Sequence, residues 1–257
     1  MLDGLKRRVR EWEAEGRHPM LTRGLTTLWM QAMNLQDFLF MHRVKHWLGA
    51  TPDSVADAVE QVCTGPAGRA IRPMQVPGEL CALIEMVAGR KPKVVVEIGT
   101  ARGGTLSLLC RYAASDAVII SVDLPYGRNG GGYPRWKEKM YRRFAQKDQT
   151  LHLLRADSHD PATLEEVRAL LPDLQVEFLL IDADHSYDGV KTDYDLYAPL
   201  VIEGGVIAIH DALENTSDPS IDVNRFWDQL AKSKTLQTDM IVQDPTQGSY
   251  GFGLVFQ

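Results

Sequence analysis

The sequence predicts an α/β protein. Its core would be a Rossmann-like, doubly wound, mostly parallel seven-stranded sheet, with an antiparallel C-terminal hairpin and a helical N-terminal extension. Three observations carry this. From about residue 78, short apolar, β-branched runs alternate with stretches of helical period, the pattern of a parallel sheet covered on both faces. The first run, Val94-Val95-Val96-Glu97-Ile98, opens directly into Gly99-Thr100-Ala101-Arg102-Gly103-Gly104-Thr105, which reads as strand, tight turn and helix N-terminus. The successive runs then end in polar or ionisable residues: Glu97, Asp123, Asp157, Asp182 and the pair His210-Asp211.

Residues 1–75 read as a helical region and 76–257 as the α/β domain. Near the start, Leu5, Val9 and Trp12 recur at helical spacing beside Lys6, Arg7, Arg8 and Arg10, which suits a solvated helix rather than a signal peptide. Trp29, Met33, Phe40, Val44 and Trp47 mark a long amphipathic stretch closed by Gly49, and Thr51-Pro52 predicts the start of the next helix. Gly65-Pro66-Ala67-Gly68 and Pro73 predict a linker. In the second region a helix over 79–88 leads into the strand 94–98. Helix 104–113, strand 118–122, a long loop, helix 135–146, strand 151–154 and helix 161–171 follow. Strand 178–181, helix 187–198, strand 206–209 and helix 222–232 complete the alternation. Two closing strands, 236–242 and 250–256, joined by a Pro/Gly turn, predict the hairpin.

Composition excludes several classes of function. A net charge of −6 and a pI near 5.7 leave no basic face for nucleic acid or an anionic membrane. The most apolar window, 25–48, is interrupted by Gln31, Asn34, Gln36, Asp37, His42, Arg43 and Lys45, too polar to span a bilayer. Cys63, Cys81 and Cys110 have no metal or redox spacing and read as reduced core residues of a cytoplasmic protein.

In open α/β sheets ligands bind beyond the carboxyl ends of the strands. A glycine-rich turn lets a ligand approach the backbone, and the free N–H groups of the following helix attract negative charge. A nucleotide or adenosyl cofactor with an anionic tail fits that turn. Asp123 lies about twenty residues past it, where an acid takes ribose hydroxyls. Asp157-Ser158 is placed to reach an adenine amino group, although Ser158 and Asp160 also suit a cap for the helix beginning at Pro161. The stretch Ile181-Asp182-Ala183-Asp184-His185-Ser186-Tyr187 brings two carboxylates and an imidazole to the mouth of the sheet, and His210-Asp211 can meet it across the cleft. Carboxylate and imidazole groups converging from two loops suit a divalent cation. The turn is not Gly-x-Gly-x-x-Gly, which disfavours an NAD-dependent oxidoreductase. Intact Asp182, His185 and Asp211 argue against a non-catalytic binding module.

These residues resemble class I S-adenosylmethionine-dependent methyltransferases over roughly residues 75–257. Within that group they are similar to the metal-assisted small-molecule O-methyltransferases of the catechol type and of the macrolide-sugar and cephamycin-pathway type. The resemblance implies S-adenosylmethionine as cofactor and, as acceptor, a hydroxyl on a sugar or aryl group of a secondary metabolite such as an antibiotic. It implies that Gly99, Thr100, Gly103, Gly104 and Thr105 hold the methionine tail, and that Glu97 shapes that turn or meets the cofactor amine. Asp123 would bind ribose, with Asp157 and Ser158 on adenine. Asp182 would be the first metal ligand and would support cofactor binding and catalysis. His210 and Asp211, 28 and 29 residues later, would be the remaining ligands, with His185 as general base and Asp184 orienting it. Relatives carry a carboxylate where this chain has His210. That change shifts preference from Mg²⁺ toward Mn²⁺, Fe²⁺ or Zn²⁺, or marks a metal-independent branch. The glycine-rich loop 124–134 would serve as a lid, presenting Tyr126, Arg128, Tyr133 and Trp136 to the acceptor. The aromatic and methionine-rich face of Trp29, Met30, Met33, Phe38, Phe40, Met41 and Trp47 would cover the acceptor cleft, pack against another subunit of a homo-oligomer, or both.

Overall fold

The computed structural model describes residues 19–125, 132–171 and 175–257. Among the described residues, four helices precede the first strand: α1 (Pro19–Gly49), α2 (Val55–Cys63), the short α3 (Gly68–Ile71) and α4 (Pro77–Arg90). The alternating part follows as β1 (Val94–Ile98), α5 (Gly104–Tyr112), β2 (Val118–Val122), α6 (Arg135–Tyr141), β3 (Thr150–Leu154) and α7 (Pro161–Ala169). Then come β4 (Val176–Ile181), α8 (Tyr187–Tyr197), β5 (Val201–His210), α9 (Val223–Ala231), β6 (Gln237–Ile241) and β7 (Phe252–Phe256).

The seven strands form one sheet in the order β3-β2-β1-β4-β5-β7-β6. β1 to β5 pair in parallel, and β7 runs antiparallel between β5 and β6. The expected seven-stranded sheet and its closing hairpin are both present, with β6 at the edge. Chain order reverses between β1 and β4, and the crevice at such a switch lies beyond the carboxyl ends of those two strands. Side-chain alternation explains why both faces need helices. Val95, Phe178, Leu180, Val206 and Ala208 enter one apolar cluster with α2, α4 and α5. Val94, Val96, Ile98, Leu179, Ile181, Ile207 and Ile209 enter the other with α7, α8 and α9.

Three local expectations differ. The cap of α2 is Ser54, not Thr51: its hydroxyl accepts the Asp57 N–H at 3.1 Å, so Thr51-Pro52 belongs to the lead-in. The predicted linker is core instead. Ala67, Ala70 and Ile71 are buried, and the Ile71 carbonyl lies 2.2 Å from where a Cβ on Gly104 would stand. Helices α2 and α3 therefore share one core with the sheet. Finally, α6 ends at Tyr141 rather than near 146. The chain beyond it is recruited to α5, where Gln146 and Gln149 each donate to the Cys110 carbonyl, at 2.8 and 2.9 Å, satisfying the end of that helix.

The apolar face expected on α1 divides. Val44 and Trp47 are buried, Phe40 and Met41 are half-buried, and Leu35, Phe38 and Leu39 are exposed. The side chains of Trp29, Met30 and Met33 lie outside those described, as do residues 5–12 and the loop residues 126–131. No helix among the described residues is long and apolar enough to cross a membrane. Cys63, Cys81 and Cys110 are free, and burial pushes the Cys63 thiol up to about 11, as suits an inert core residue.

One buried polar link lashes α4 to the segment between β6 and β7. The Glu79 carboxylate accepts Gln243 N–H at 3.1 Å, Gln247 Nε2 at 2.7 Å and Gly251 N–H at 3.0 Å. Removing it would leave the buried Gly251 N–H unpaired and cost the Gln243 and Gln247 groups their common acceptor. Glu79→Ala should cost about 3 kcal/mol of folding free energy, with Glu79→Gln costing less, in urea denaturation. A change within 0.5 kcal/mol would show that water replaces the carboxylate.

Candidate active site

The turn after β1 is shaped by backbone positions that most side chains resist. Gly99, Ala101 and Gly103 all have positive φ, at 99°, 45° and 86°. Gly99 has no room for a side chain, because the Asp182 carbonyl oxygen lies 2.0 Å from its would-be Cβ. Gly103 lies against the Tyr141 ring, and the Tyr141 hydroxyl donates to the Ala101 carbonyl at 3.2 Å. Inside the turn the Thr100 hydroxyl meets Ser121, whose hydroxyl donates to Glu97 at 2.7 Å. Glu97 is fully buried, and its Oε1 has no partner. Burial, reinforced by Asp123 and Asp182 and opposed by Ser121, pushes its carboxyl up to about 8.

Asp123 is buried at the end of β2, and its Oδ2 accepts the N–H groups of Gly132 at 2.8 Å and Tyr133 at 3.3 Å. It thereby ties down the far end of the loop expected to act as a lid. Burial raises its carboxyl to about 6 against those N–H groups and the backbone N–H groups of Thr100 and Ala101. Asp157 is exposed and folds back on the His159 N–H at 3.0 Å, while Ser158 is buried with its carbonyl taken by the Tyr197 hydroxyl at 2.9 Å. The cap of α7 is Asp160, which accepts the Ala162 N–H at 2.9 Å.

The ends of β4 and β5 bring four of the expected residues together. His185 Nδ1 and Asp211 Oδ2 form a short contact, and His210 Nδ1 lies 3.0 Å from Asp182 Oδ1 and 3.6 Å from Asp211 Oδ2. Burial opposes charge on His210, but Asp182 and Asp211 overcome it and push the imidazole up to about 9. Burial likewise opposes charge on Asp211, yet the two histidines hold it down to about 2. Burial works against His185 as well, and Asp211 outweighs it, raising the imidazole above its ordinary value. Asp211 has φ 58°, a left-handed conformation uncommon outside glycine, held where it faces both imidazoles.

Ligand atoms of Asp182, His185 and Asp211 all lie within 4.8 Å of one another, a donor set that fits a divalent cation. His210 stands beside this trio rather than in it, engaged by Asp182, with its Nε2 buried and unpartnered. Asp184, expected to orient His185, instead accepts the Ser186 N–H at 2.9 Å, and the carboxylate on His185 is Asp211.

Two participants lie outside the residues expected from the sequence. Gln75, in the segment before α4, donates to Asp182 Oδ2 and accepts the Thr105 hydroxyl at 3.2 Å. It bridges the start of α5 and the β4 loop, and only the folded chain reveals it. Ser121 was findable, as the one polar residue in the run Val118-Ile119-Ile120-Ser121-Val122.

Comparisons with known proteins agree with this geometry. Residues 96–212 match a family model described as a methyltransferase domain. The fold matches the crystal structure of an O-methyltransferase from Bacillus cereus in complex with SAH, at 17% identity and TM-score 0.55. That match covers 80% of this chain and 92% of that one. It also matches the O-methyltransferase TomG from Streptomyces achromogenes, involved in tomaymycin synthesis and solved with SAM. Identity there is 15% and the TM-score 0.51, over 80% of this chain and 90% of that one. In sequence, 149 residues are 26% identical to the uncharacterized protein y4gI of Sinorhizobium fredii, covering 57% of this chain. The chain spans only 16% of that longer protein. Residues 96–212 thus resemble a methyltransferase domain, and the sheet around them shares the fold of these solved O-methyltransferases.

The buried Glu97 sets a stability test. A carboxyl raised from its ordinary 4.5 to about 8 binds its proton more tightly in the folded state. Its contribution is complete below pH 4.5 and is lost as the pH climbs to about 8. Glu97→Gln should flatten the decline of folding free energy across that window in denaturant titrations. An unaltered slope would mean that Glu97 is ionised in the fold.

Proposed function

We propose that this chain is an S-adenosylmethionine-dependent O-methyltransferase acting on a small-molecule hydroxyl, with His185 as general base. The observation that carries this reading is the His185–Asp211 pair, set beside the glycine turn at the switch point of the sheet. When bound, S-adenosylmethionine supplies an electrophilic methyl group. Transfer to oxygen is then mainly a matter of holding a deprotonated or hydrogen-bonded hydroxyl in line. In this reading Asp211 accepts the Nδ1–H of His185, which fixes the tautomer and leaves Nε2 to take the acceptor proton. Asp211 then stabilises the imidazolium. The turn 99–105 would hold the methionine tail, Asp123 the ribose and Asp157-Ser158 the adenine.

The donor set also supports a cation reading. Asp182, His185 and Asp211 would hold the ion, whose chemistry there is to lower the pKa of a bound hydroxyl. With an imidazole in the set, Mn²⁺, Fe²⁺ or Zn²⁺ suit it better than Mg²⁺. The acceptor best matched to the resemblance is a sugar or aryl hydroxyl of a secondary metabolite.

His185→Ala should retain S-adenosylhomocysteine binding in calorimetry while losing roughly 10²–10⁴-fold in methyl transfer, assayed with labelled S-adenosylmethionine and a panel of phenolic and sugar acceptors. The loss should shrink at high pH, where the acceptor ionises unaided. Undiminished transfer in that variant would refute His185 as base. Exhaustive chelation separates the two readings: an unchanged rate leaves the His–Asp pair acting alone. A lost rate restored by Mn²⁺, and not restored in Asp182→Asn, supports the cation.

A further inference from the structure

The glycine turn has few means of holding itself. Of its central residues, only Thr100 and Arg102 carry side chains able to anchor it, and they point to different neighbours. Thr100 is held from within by Ser121. Arg102 is held from outside by Asp37 of α1, a helix that lies wholly beyond the residues matched as the methyltransferase domain. The two oxygens of Asp37 are divided: Oδ1 takes Arg102 Nη2, and Oδ2 takes Lys137 Nζ of α6. Arg102 Nη2 also donates to the Arg69 carbonyl of α3 at 2.8 Å, and Gln36 Nε2 reaches the same oxygen at 3.2 Å. Asp37 and Lys137 are each 1% exposed. Charges so buried persist only when paired.

Lys137 closes the other side of the same site. It follows Gly132 and Tyr133, whose N–H groups hold Asp123, and its helix carries Tyr141, whose ring lies against Gly103. A second contact repeats the link, with Phe38 of α1 meeting Trp136 edge-on at 5.6 Å between ring centroids. One carboxylate from outside the matched domain thus joins the turn after β1 to the segment after the 126–131 loop.

We propose that Asp37 is a positioning residue for S-adenosylmethionine, and that docking of α1 and binding of the cofactor are coupled through Arg102 and Lys137. The proposal rests on the cofactor reading above. Without Asp37, Arg102 and Lys137 would face one another uncompensated, and both the turn and α6 would lose their common anchor. Coupling of this kind is reciprocal, so cofactor should tighten α1 as much as α1 tightens the cofactor site.

Calorimetry of the full chain with S-adenosylhomocysteine tests this. Asp37→Asn and Arg102→Gln should each weaken binding at least tenfold, and the double variant should be no worse than the weaker single, as expected for partners in one link. In steady state Asp37→Asn should raise KM for S-adenosylmethionine more than it lowers kcat, and Asp37→Glu should recover part of the affinity. Wild-type affinity in folded Asp37→Asn overturns the proposal. Hydrogen exchange on the unmodified protein is a second arm, independent of whether the variants fold. Saturating S-adenosylhomocysteine should slow exchange over residues 35–49, and unchanged rates there while the ligand is bound overturn the coupling. Failure of the unmodified protein to bind S-adenosylhomocysteine at all would instead overturn the cofactor reading beneath it.

Discussion

The backbones that follow β1 and β4 run in contact at the switch point. The Asp182 N–H donates to the Ile98 carbonyl at 2.8 Å, and the Asp182 carbonyl leaves no room for a Cβ on Gly99. This approach fixes the glycine turn relative to the first residue of the β4 loop. Any larger residue at position 99 would have to push two neighbouring strand ends apart, and it would also meet a φ of 99°. Because the contact is between main chains, it sets where the Asp182 carboxylate starts, and with it the His210 and Gln75 contacts. The turn and the cluster of acids and histidines are therefore two parts of one rigid piece.

That rigid piece has an electrostatic cost. Glu97, Asp123, Asp182 and Asp211 stand at the ends of four adjacent strands, three of them buried. Four carboxylates ionised in so small a space would repel one another strongly. The fold deals with them differently. Glu97 is raised to about 8, which favours its neutral form, with Ser121 and Thr100 beneath it. Asp123 is surrounded by backbone N–H groups from two loops. Asp182 and Asp211 share two histidines, one of them raised to about 9. A histidine at position 210 suits this scheme: it answers two acids where a carboxylate would have added a further negative charge.

The sheet and the strand-end residues were legible because they follow from period and position. A parallel sheet needs uninterrupted apolar runs, and β1 and β2 begin and end where those runs do. The chemistry at strand ends follows from topology, so Asp182, His185, His210 and Asp211 could be brought together on paper. Their pairing could not. Whether His185 meets Asp184 or Asp211 depends on φ at position 211 and on the cap at Ser186, neither of which leaves a periodic trace. The same limit explains the predicted linker. Gly65, Pro66 and Pro73 do punctuate the chain, but Ala67, Ala70 and Ile71 between them are small or apolar enough to fill the space against Gly104. Asp37 was read as one of the residues that make 25–48 too polar for a bilayer, and it is among the most buried acids of the fold. Its partners lie 65 and 100 residues away, beyond the reach of any local pattern.

The contact between His185 Nδ1 and Asp211 Oδ2 admits one occupant. As a hydrogen bond it needs a proton on Nδ1, which leaves Nε2 basic and favours the imidazole as proton acceptor. As part of a cation site bound through Nδ1 it needs that proton gone, and Nδ1 then becomes a donor to the ion. The same three residues therefore support a base or an ion-binding set through this nitrogen, not both at once. Their neighbours lean toward the proton. Asp211 is already shared between two imidazoles, and Asp182 is taken by His210 and Gln75, so an entering cation would displace contacts on both carboxylates. In the proposed reading the base is seated on its carboxylate, and His210, held beside Asp182 and Asp211, offsets their charge.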